Sequence, residues 1–353
     1  MMTGELRSRG SGRGGRAPAR EADVGLSIVV PLFNEADGLE ALHARIVEVA
    51  LRLRDARALK CEVVYVDDGS RDDTLKIAHD LPASVLDVQV VSLSRNFGKE
   101  AALLAGLDHA RLGGVLFMDG DGQHPPSLVE TLVSHWLDGG YDVTYTAKRD
   151  RENESWLMKL GVKVFYTMIN WGARHKIPAD AGDFRLLSPR AAAALRQLPE
   201  RNRFFKGLAS WIGFRQIRVD YKPDERLHGR TSWNLYRLVG LSIEGLTSFS
   251  VAPLRLASLL GLLLAGSALV FGAMILFEVL FYGVAVPGYP SLVVGLMVLG
   301  GVQLVMIGIM GEYIGKILSE LKGRPAYFVA EHVVRTADRT DEAVAPPART
   351  AAE

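Results

Sequence analysis

Apolar and polar positions alternate in blocks along this chain until residue 253, where the polar positions nearly vanish. Residues 26–31 (LSIVVP) read as a first strand, stopped by Pro31. Asn34 and Glu35 then open a helical pattern to residue 53, with Leu39, Leu42, Ile46, Val49 and Ala50 on one face. Residues 61–66 (CEVVYV) are a second buried strand, stopped by Asp67-Asp68-Gly69-Ser70. Ser70 to Asp73 approximates a capping box, with Asp in place of Glu, ahead of a helix over 74–79. A third strand covers 88–93, and Ser94-Arg95-Asn96-Phe97-Gly98-Lys99 follows it. A helix of small residues over 100–110 should pack closely on a sheet. The fourth strand, 115–118, ends in Asp119-Gly120-Asp121-Gly122. Strands and helices alternating at this spacing predict an α/β fold with a doubly wound, mainly parallel sheet.

Beyond a strand at 141–147, residues 156–171 read as an apolar helix carrying two lysines. Asp183-Phe184-Arg185 leads into Leu186-Leu187 and a short helix over 191–195, and 211–221 forms one or two strands. A basic loop over 226–233 (RLHGRTSW) precedes an amphipathic stretch to residue 249. Residues 254–282 and 291–310 each reach the length of about 20 that a spanning helix needs. Arg237 and Arg255 precede the first run, and Lys316, Lys322 and Arg324 follow the second. The positive-inside rule then places the large N-terminal part and both termini in the cytoplasm, at a cytoplasmic (inner) membrane crossed twice. Glu278 falls near the outer end of the first run, where its carboxylate can reach the interface.

Composition changes this picture little. Lys+Arg 41 against Asp+Glu 40 leaves no net field for nucleic acid, so no nucleic-acid partner is expected. The single cysteine, Cys61, excludes an internal disulfide framework and a cysteine-rich zinc site. Residues 1–24 read as a disordered basic tail. Within it, residues 10–15 match G-x-G-x-x-G, but no strand precedes them and no helix follows, so they make no dinucleotide site. The polar stretch 335–353 reads as a disordered end. The expected division is a catalytic domain over 25–232, an interfacial segment over 233–252, a two-helix anchor over 253–315 and a cytoplasmic tail over 316–353.

The candidate chemistry sits where the strands stop. In open parallel sheets, ligands bind at the carboxyl ends of the strands. Here four successive ends present Asn34-Glu35, Asp67-Asp68, Arg95 to Lys99, and Asp119 with Asp121. Two carboxylates two residues apart, with glycine on either side of the second, suit Mg2+ or Mn2+, which prefer oxygen ligands and substrate phosphates. Taken singly, each cluster has a plainer reading: Asp-Gly as a turn, Asn34 as a helix cap, Lys99 as a solvated lysine.

Together these motifs resemble those of family 2 glycosyltransferases. The resemblance rests on VVPLFNE at 29–35, VDDGS at 66–70, NFGK at 96–99 and MDGDGQHPP at 118–126. Asp183-Phe184-Arg185, the 226–233 loop and two C-terminal apolar runs resemble the polyprenyl-phosphate group, which includes dolichol-phosphate mannose synthases and bactoprenol glucosyltransferases. It implies a GT-A type fold and an inverting transfer from a nucleotide-sugar donor to a polyprenyl phosphate acceptor held at the lipid bilayer, with room for a homo-oligomer. By resemblance, Pro31, Asn34, Glu35, Asp68, Lys99 and Asp119 would line the nucleotide-sugar pocket. Asp119 and Asp121 would hold the metal, with Gln123 beside them. Asp121, Asp183 and Arg226 would carry the catalysis, and Arg226, Arg230 and Ser232 would take the acceptor phosphate. Relatives usually place Lys where this chain has Ser232, and Arg230 would supply that charge. Asp183 is either a base, as in relatives that use sugar hydroxyls, or a group that orients metal, sugar or acceptor.

The resemblance favours UDP-glucose as donor and a role in cell-envelope glycan modification, with GDP-mannose as the alternative. The 156–171 and 233–249 stretches are either interfacial helices or ordinary core helices. A processive polysaccharide synthase is a poor fit because Gln-x-x-Arg-Trp is missing before the apolar runs. An inactive membrane scaffold is the remaining alternative, opposed by the retained Asp68, Asp119, Asp121, Asp183 and Arg226.

Overall fold

Four buried strands form the centre: β1 (Gly25–Leu32), β2 (Lys60–Asp67), β3 (Asp87–Leu93) and β4 (Gly114–Phe117). They pair in parallel in the spatial order β4-β1-β2-β3. The computed structural model describes residues 25–122, 124–148, 166–167, 170, 181–198, 200, 205–221, 252–282, 288–337 and 339–343. Outward from β4 lie β6 (Ala181–Leu187), β5 (Val143–Lys148) and β7 (Gln216–Tyr221). Outward from β3 lie β8 (Val329–Thr336) and β9 (Arg339–Ala343). Within this nine-stranded sheet β6 and β8 run against the other strands, so the expected mainly parallel arrangement holds.

Alternation along each central strand feeds two cores, one on each face of the sheet. Ile28, Val30 and Leu32 point to one core, filled by α1 (Ala36–Arg57), α2 (Thr74–Asp80) and α4 (Pro126–Leu137). Val29, Val64 and Val66 point to the other, filled by α3 (Lys99–His109), α5 (Pro189–Gln197) and α6 (Phe205–Trp211). Helix α1 buries Leu39, Leu42, Ile46, Val49 and Leu53 at helical spacing. It stops at Ala58, which takes a left-handed φ of 51° while its N–H donates to the Arg54 carbonyl at 2.8 Å. Helix α3 approaches the sheet so closely that a Cβ on Gly106 would lie 2.1 Å from a Val29 methyl. The run of small residues read from the sequence is what permits that approach.

The structure departs from the sequence expectations in four places. Asp183-Phe184-Arg185, assigned to no element from the sequence, lies within β6, between β4 and β5. Helices α4 and α6 were not anticipated; α4 starts at Pro126, which suits a first helical turn because it gives up an N–H with no partner there. Ser70 does not cap α2; its hydroxyl accepts from the Asn34 N–H at 3.0 Å, and Asp72 accepts from Thr74 instead. The stretch from residue 335, expected to be disordered, begins inside β8 and continues into β9. Strand β8 finds its partner in β3, so the pairing is non-local and leaves no mark on the local pattern.

Helix α7 (Ala252–Tyr282) extends the first apolar run at its start, and α8 (Tyr289–Leu321) extends the second at both ends. Pro253–Tyr282 and Val298–Leu321 are long and apolar enough to cross a membrane, and none of the side chains in their most apolar windows is buried. Leu262, Leu269, Phe271, Leu280, Leu304 and Ile307 stand open. Exposure of this extent is foreign to a water-soluble core helix pair.

Candidate active site

The parallel arrangement of β1 to β4 brings all four carboxyl ends to one edge, and the loops that leave them are stitched together. Asn34 adopts a left-handed φ of 56°, a conformation asparagine tolerates better than most residues. From it, the side-chain oxygen accepts the Arg71 N–H at 2.9 Å, and the neighbouring Glu35 N–H donates to the Thr74 hydroxyl at 2.9 Å. Asn34 thus pins the β1–α1 loop to the β2–α2 loop, a larger task than capping one helix. Pro31 and Glu35 flank the fourth loop: a Cβ on Gly120 would meet the Pro31 carbonyl at 3.3 Å and the Glu35 side chain at 3.7 Å.

Asp68 is buried at the end of β2 and spends both oxygens on the loop after β3. One accepts the Phe97 N–H at 2.7 Å and the other the Gly98 N–H at 2.9 Å. Burial pushes its carboxyl above the ordinary value; the two amides pull it back, and neighbouring Asp67 adds repulsion. Gly98 sits at φ 97° and opens α3, so Asp68 sets where that helix begins.

The first residue of α3 is Lys99, and its ammonium reaches across the site. It lies 2.5 Å from Asp119 Oδ1 and 2.7 Å from Asp183 Oδ2. Burial alone would lower the lysine pKa, but the carboxylates of Asp183 and Asp119 outweigh it and raise it. Three elements far apart in sequence therefore converge on one cation. Tyr221, at the end of β7, feels the same negative field: burial, then Asp119, Asp121 and Asp183, push its phenol up to about 12.

The loop after β4 is clamped by Arg45. Arg45 on α1 donates to the carbonyls of Gly122 at 2.6 Å and His124 at 3.2 Å. The His124 ring stacks on Phe184 with centroids 4.2 Å apart and planes 11° apart, beside Tyr221. Arg185 is buried beneath, donating to the carbonyls of Gly182 at 2.9 Å and Phe205 at 3.2 Å. Sequence reasoning passed over Arg45, His124 and Tyr221. Arg45 shares a pocket with Leu42 and Ile46, and an arginine beside two core positions of α1 was the one hint of a contact there.

The donor set suits a hard divalent cation. Asp119, Asp121 and Asp183 offer carboxylate oxygens alone, and an internal cation already bridges two of them. Among the described residues, no three metal-ligating side chains form a ready-made cage. An ion such as Mg2+ binds through one or two carboxylates and completes its shell with water and substrate phosphate. Gln123, Arg226, Arg230 and Ser232 lie outside the described residues, as do the 233–251 stretch and most of the 156–171 stretch.

Comparison with known proteins bears directly on this edge. Residues 27–196 match Glycosyl transferase family 2. That span runs from β1 through α5 and so contains the carboxyl ends of β1 to β4, but not Tyr221 of β7. A glycosyltransferase of Synechocystis sp. (strain ATCC 27184 / PCC 6803 / Kazusa), sll0501, is 42% identical over 308 residues, covering 87% of this chain and 95% of its own. The chain is a family 2 glycosyltransferase. Other relatives of this glycosyltransferase are a prophage bactoprenol glucosyl transferase homolog of Escherichia coli (strain K12), 38% identical over 86% of this chain and 98% of that one, and the bactoprenol glucosyl transferase of Shigella phage SfII, 39% identical over 86% and 97%. The expected resemblance to the polyprenyl-phosphate group and the doubly wound, mainly parallel sheet stand.

Proposed function

We propose that this glycosyltransferase moves a hexose from a nucleotide sugar, UDP-glucose in the first instance, to the phosphate of a polyprenyl lipid, with inversion at the anomeric carbon. The product, a polyprenyl-phosphate sugar, would serve cell-envelope glycan modification. The observation that carries the proposal is the convergence of Asp119 and Asp183 on Lys99, at the strand edge where a family 2 enzyme takes its donor. Relatives named for bactoprenol glucosyl transfer and two apolar helices support the lipid acceptor.

Pro31, Asn34, Glu35 and Asp68 would frame the nucleoside half of the donor, and Lys99 and Asp119 the diphosphate half. Asp68 does this through the backbone it holds, since both its oxygens are already engaged. A divalent ion, Mg2+ or Mn2+, at Asp119 and Asp121 would supply Lewis-acid neutralisation of the departing diphosphate. In the transfer, an acceptor phosphate oxygen forms the bond to the anomeric carbon as the bond to the nucleoside diphosphate breaks. A phosphate monoester has a second pKa of about 6, so its oxygen is already an anion at neutral pH and requires placement more than a base. Asp183 fits that chemistry as an orienting group, because the Lys99 ammonium already holds it in a hydrogen bond. Arg226, Arg230 and Ser232 would gather the acceptor phosphate, where guanidinium groups offset the repulsion between two anionic substrates.

Helices α7 and α8 would anchor the enzyme in the cytoplasmic membrane, with the catalytic domain and both termini on the cytoplasmic side. The test uses protein purified in detergent, undecaprenyl phosphate, Mg2+ or Mn2+, and a panel of radiolabelled nucleotide sugars, with Asp121→Ala as control. Metal-dependent label in the organic phase, lost in the variant, is the expected result and names the sugar. No transfer from any donor, with lipid quality verified, would sink the proposal.

A further inference from the structure

The segment that follows α8 does not drift away from the catalytic domain. Between the end of α8 at Leu321 and the start of β8 at Val329, the chain turns at Gly323, with φ 67°, and runs back against the β3–α3 unit. It grips that unit at two points. At one, the Ser94 N–H donates to the Phe328 carbonyl at 2.9 Å, and the Phe328 ring packs against Phe97 with centroids 6.3 Å apart. At the other, the Tyr327 hydroxyl donates to Asp108 Oδ2, at the far end of α3, at 2.9 Å. Ala326, Tyr327 and Val329 also pack on the core that contains Leu93, Leu103 and Leu107. The Arg95 guanidinium lies over the Phe97 ring, 4.5 Å from its centroid.

What this grip holds is the donor loop. The Phe97 and Gly98 N–H groups are the two that Asp68 binds, and Lys99 follows them directly. A displacement of Phe97 is therefore transmitted within two residues to the ammonium that bridges Asp119 and Asp183. Nothing in a local loop requires a distant segment for this; a tethered aromatic is chosen where position counts more than closure.

We propose that Tyr327 and Phe328 are positioning residues for the donor site: the segment emerging from the second apolar helix fixes the 94–99 loop and thereby sets affinity for the nucleoside diphosphate. The inference rests on the reading of this edge as the nucleotide-sugar site. It places part of the donor pocket's support beyond the family-matched residues 27–196.

The experiment compares the full chain in detergent with Phe328→Ala, Phe328→Leu and Tyr327→Phe. Two quantities are measured: hydrogen exchange at the Phe97 and Gly98 amides, and calorimetric affinity for UDP and GDP with Mn2+. Phe328→Ala should speed exchange at those amides and weaken the nucleotide about two- to tenfold, the range that the geometry of one aromatic pair carries. Leucine should restore most of it, and KM for polyprenyl phosphate should stay unchanged while KM for the donor rises. If Phe328→Ala fails to fold, Tyr327→Phe, which loses one hydroxyl, carries the same comparison. Faster exchange with unaltered nucleotide affinity would make the contact merely structural and overturn the inference alone. A wild-type chain that binds neither nucleotide would overturn the inference together with the reading beneath it.

Discussion

The Lys99 ammonium lies 2.7 Å from the Asp183 carboxylate, across 84 positions of sequence. It also neutralises Asp119, so the site without substrate carries its own counter-cation. Replacing Lys99 with Met should remove the cation that bridges the two carboxylates. Binding of Mn2+ in the absence of nucleotide should then tighten, while transfer falls about a hundred- to a thousandfold, as when a preorganised charge-stabilising group is removed. Calorimetric titration with Mn2+ and a transfer assay on the same preparation check both halves. Weaker metal binding in the variant would contradict the assigned role.

Asp183→Asn separates orientation from base catalysis. If Asp183 orients, the variant should lose affinity for donor, acceptor or metal along with turnover, and its rate should keep the pH profile of the wild type. Loss of turnover with all three affinities intact would restore the base role.

Asp68→Ala removes the acceptor for two buried N–H groups at once. Leaving such donors unsatisfied costs about 1–3 kcal/mol each, so the melting temperature should fall and donor KM should rise. Asp68→Asn retains one acceptor oxygen and should lie between. Scanning calorimetry with donor kinetics reads both effects.

At the opposite edge of the sheet, His332 of β8 bonds Gln89 at 2.9 Å and meets the His109 ring edge-on, with centroids 4.7 Å apart. Burial, then His109 and Arg111, lower its pKa from 6.5 to about 4, against a smaller pull upward from Glu62. The folded chain therefore binds fewer protons than the unfolded chain between those values, and stability rises with pH across that window. Stability should drop as pH falls from 6.5 toward about 4, and His332→Gln should flatten the slope. Melting in detergent across that range tests it; identical slopes would remove His332 from the account.

Gly106→Val should cost about 1–3 kcal/mol by overpacking, because the added Cβ alone would fall 2.1 Å from the Val29 methyl. The expected sign is a lower melting temperature with site geometry otherwise kept.

The central strands, α1 and α3, and the two apolar helices were legible because each declares itself locally, through alternation, helical spacing or sheer length. The four strand-end clusters were legible because a parallel sheet forces its carboxyl ends together, whatever the intervening chain does. Lys99 was expected near the donor, but not its bridging of Asp119 and Asp183, which depends on β6 inserting beside β4. Three short polar or aromatic residues of β6 give no strand signal until β4 and β5 flank them. Likewise Asp68 looked like a ligand for the nucleoside; its task of holding Phe97 and Gly98 depends on a loop 29 positions further on. Arg45 acts through carbonyls, which sequence does not distinguish, and β8 pairs across most of the chain.

That last pairing gives the protein a timetable. Strand β3 is complete early in synthesis, yet its outer neighbour β8 leaves the ribosome only after both apolar helices have been made. At roughly 5–20 residues per second, the β3 edge waits on the order of tens of seconds with its hydrogen-bonding groups unpaired. The sheet gains its outer strands only after both apolar helices have been synthesised, so a chain that stopped short of β8 would be left with the β3 edge open.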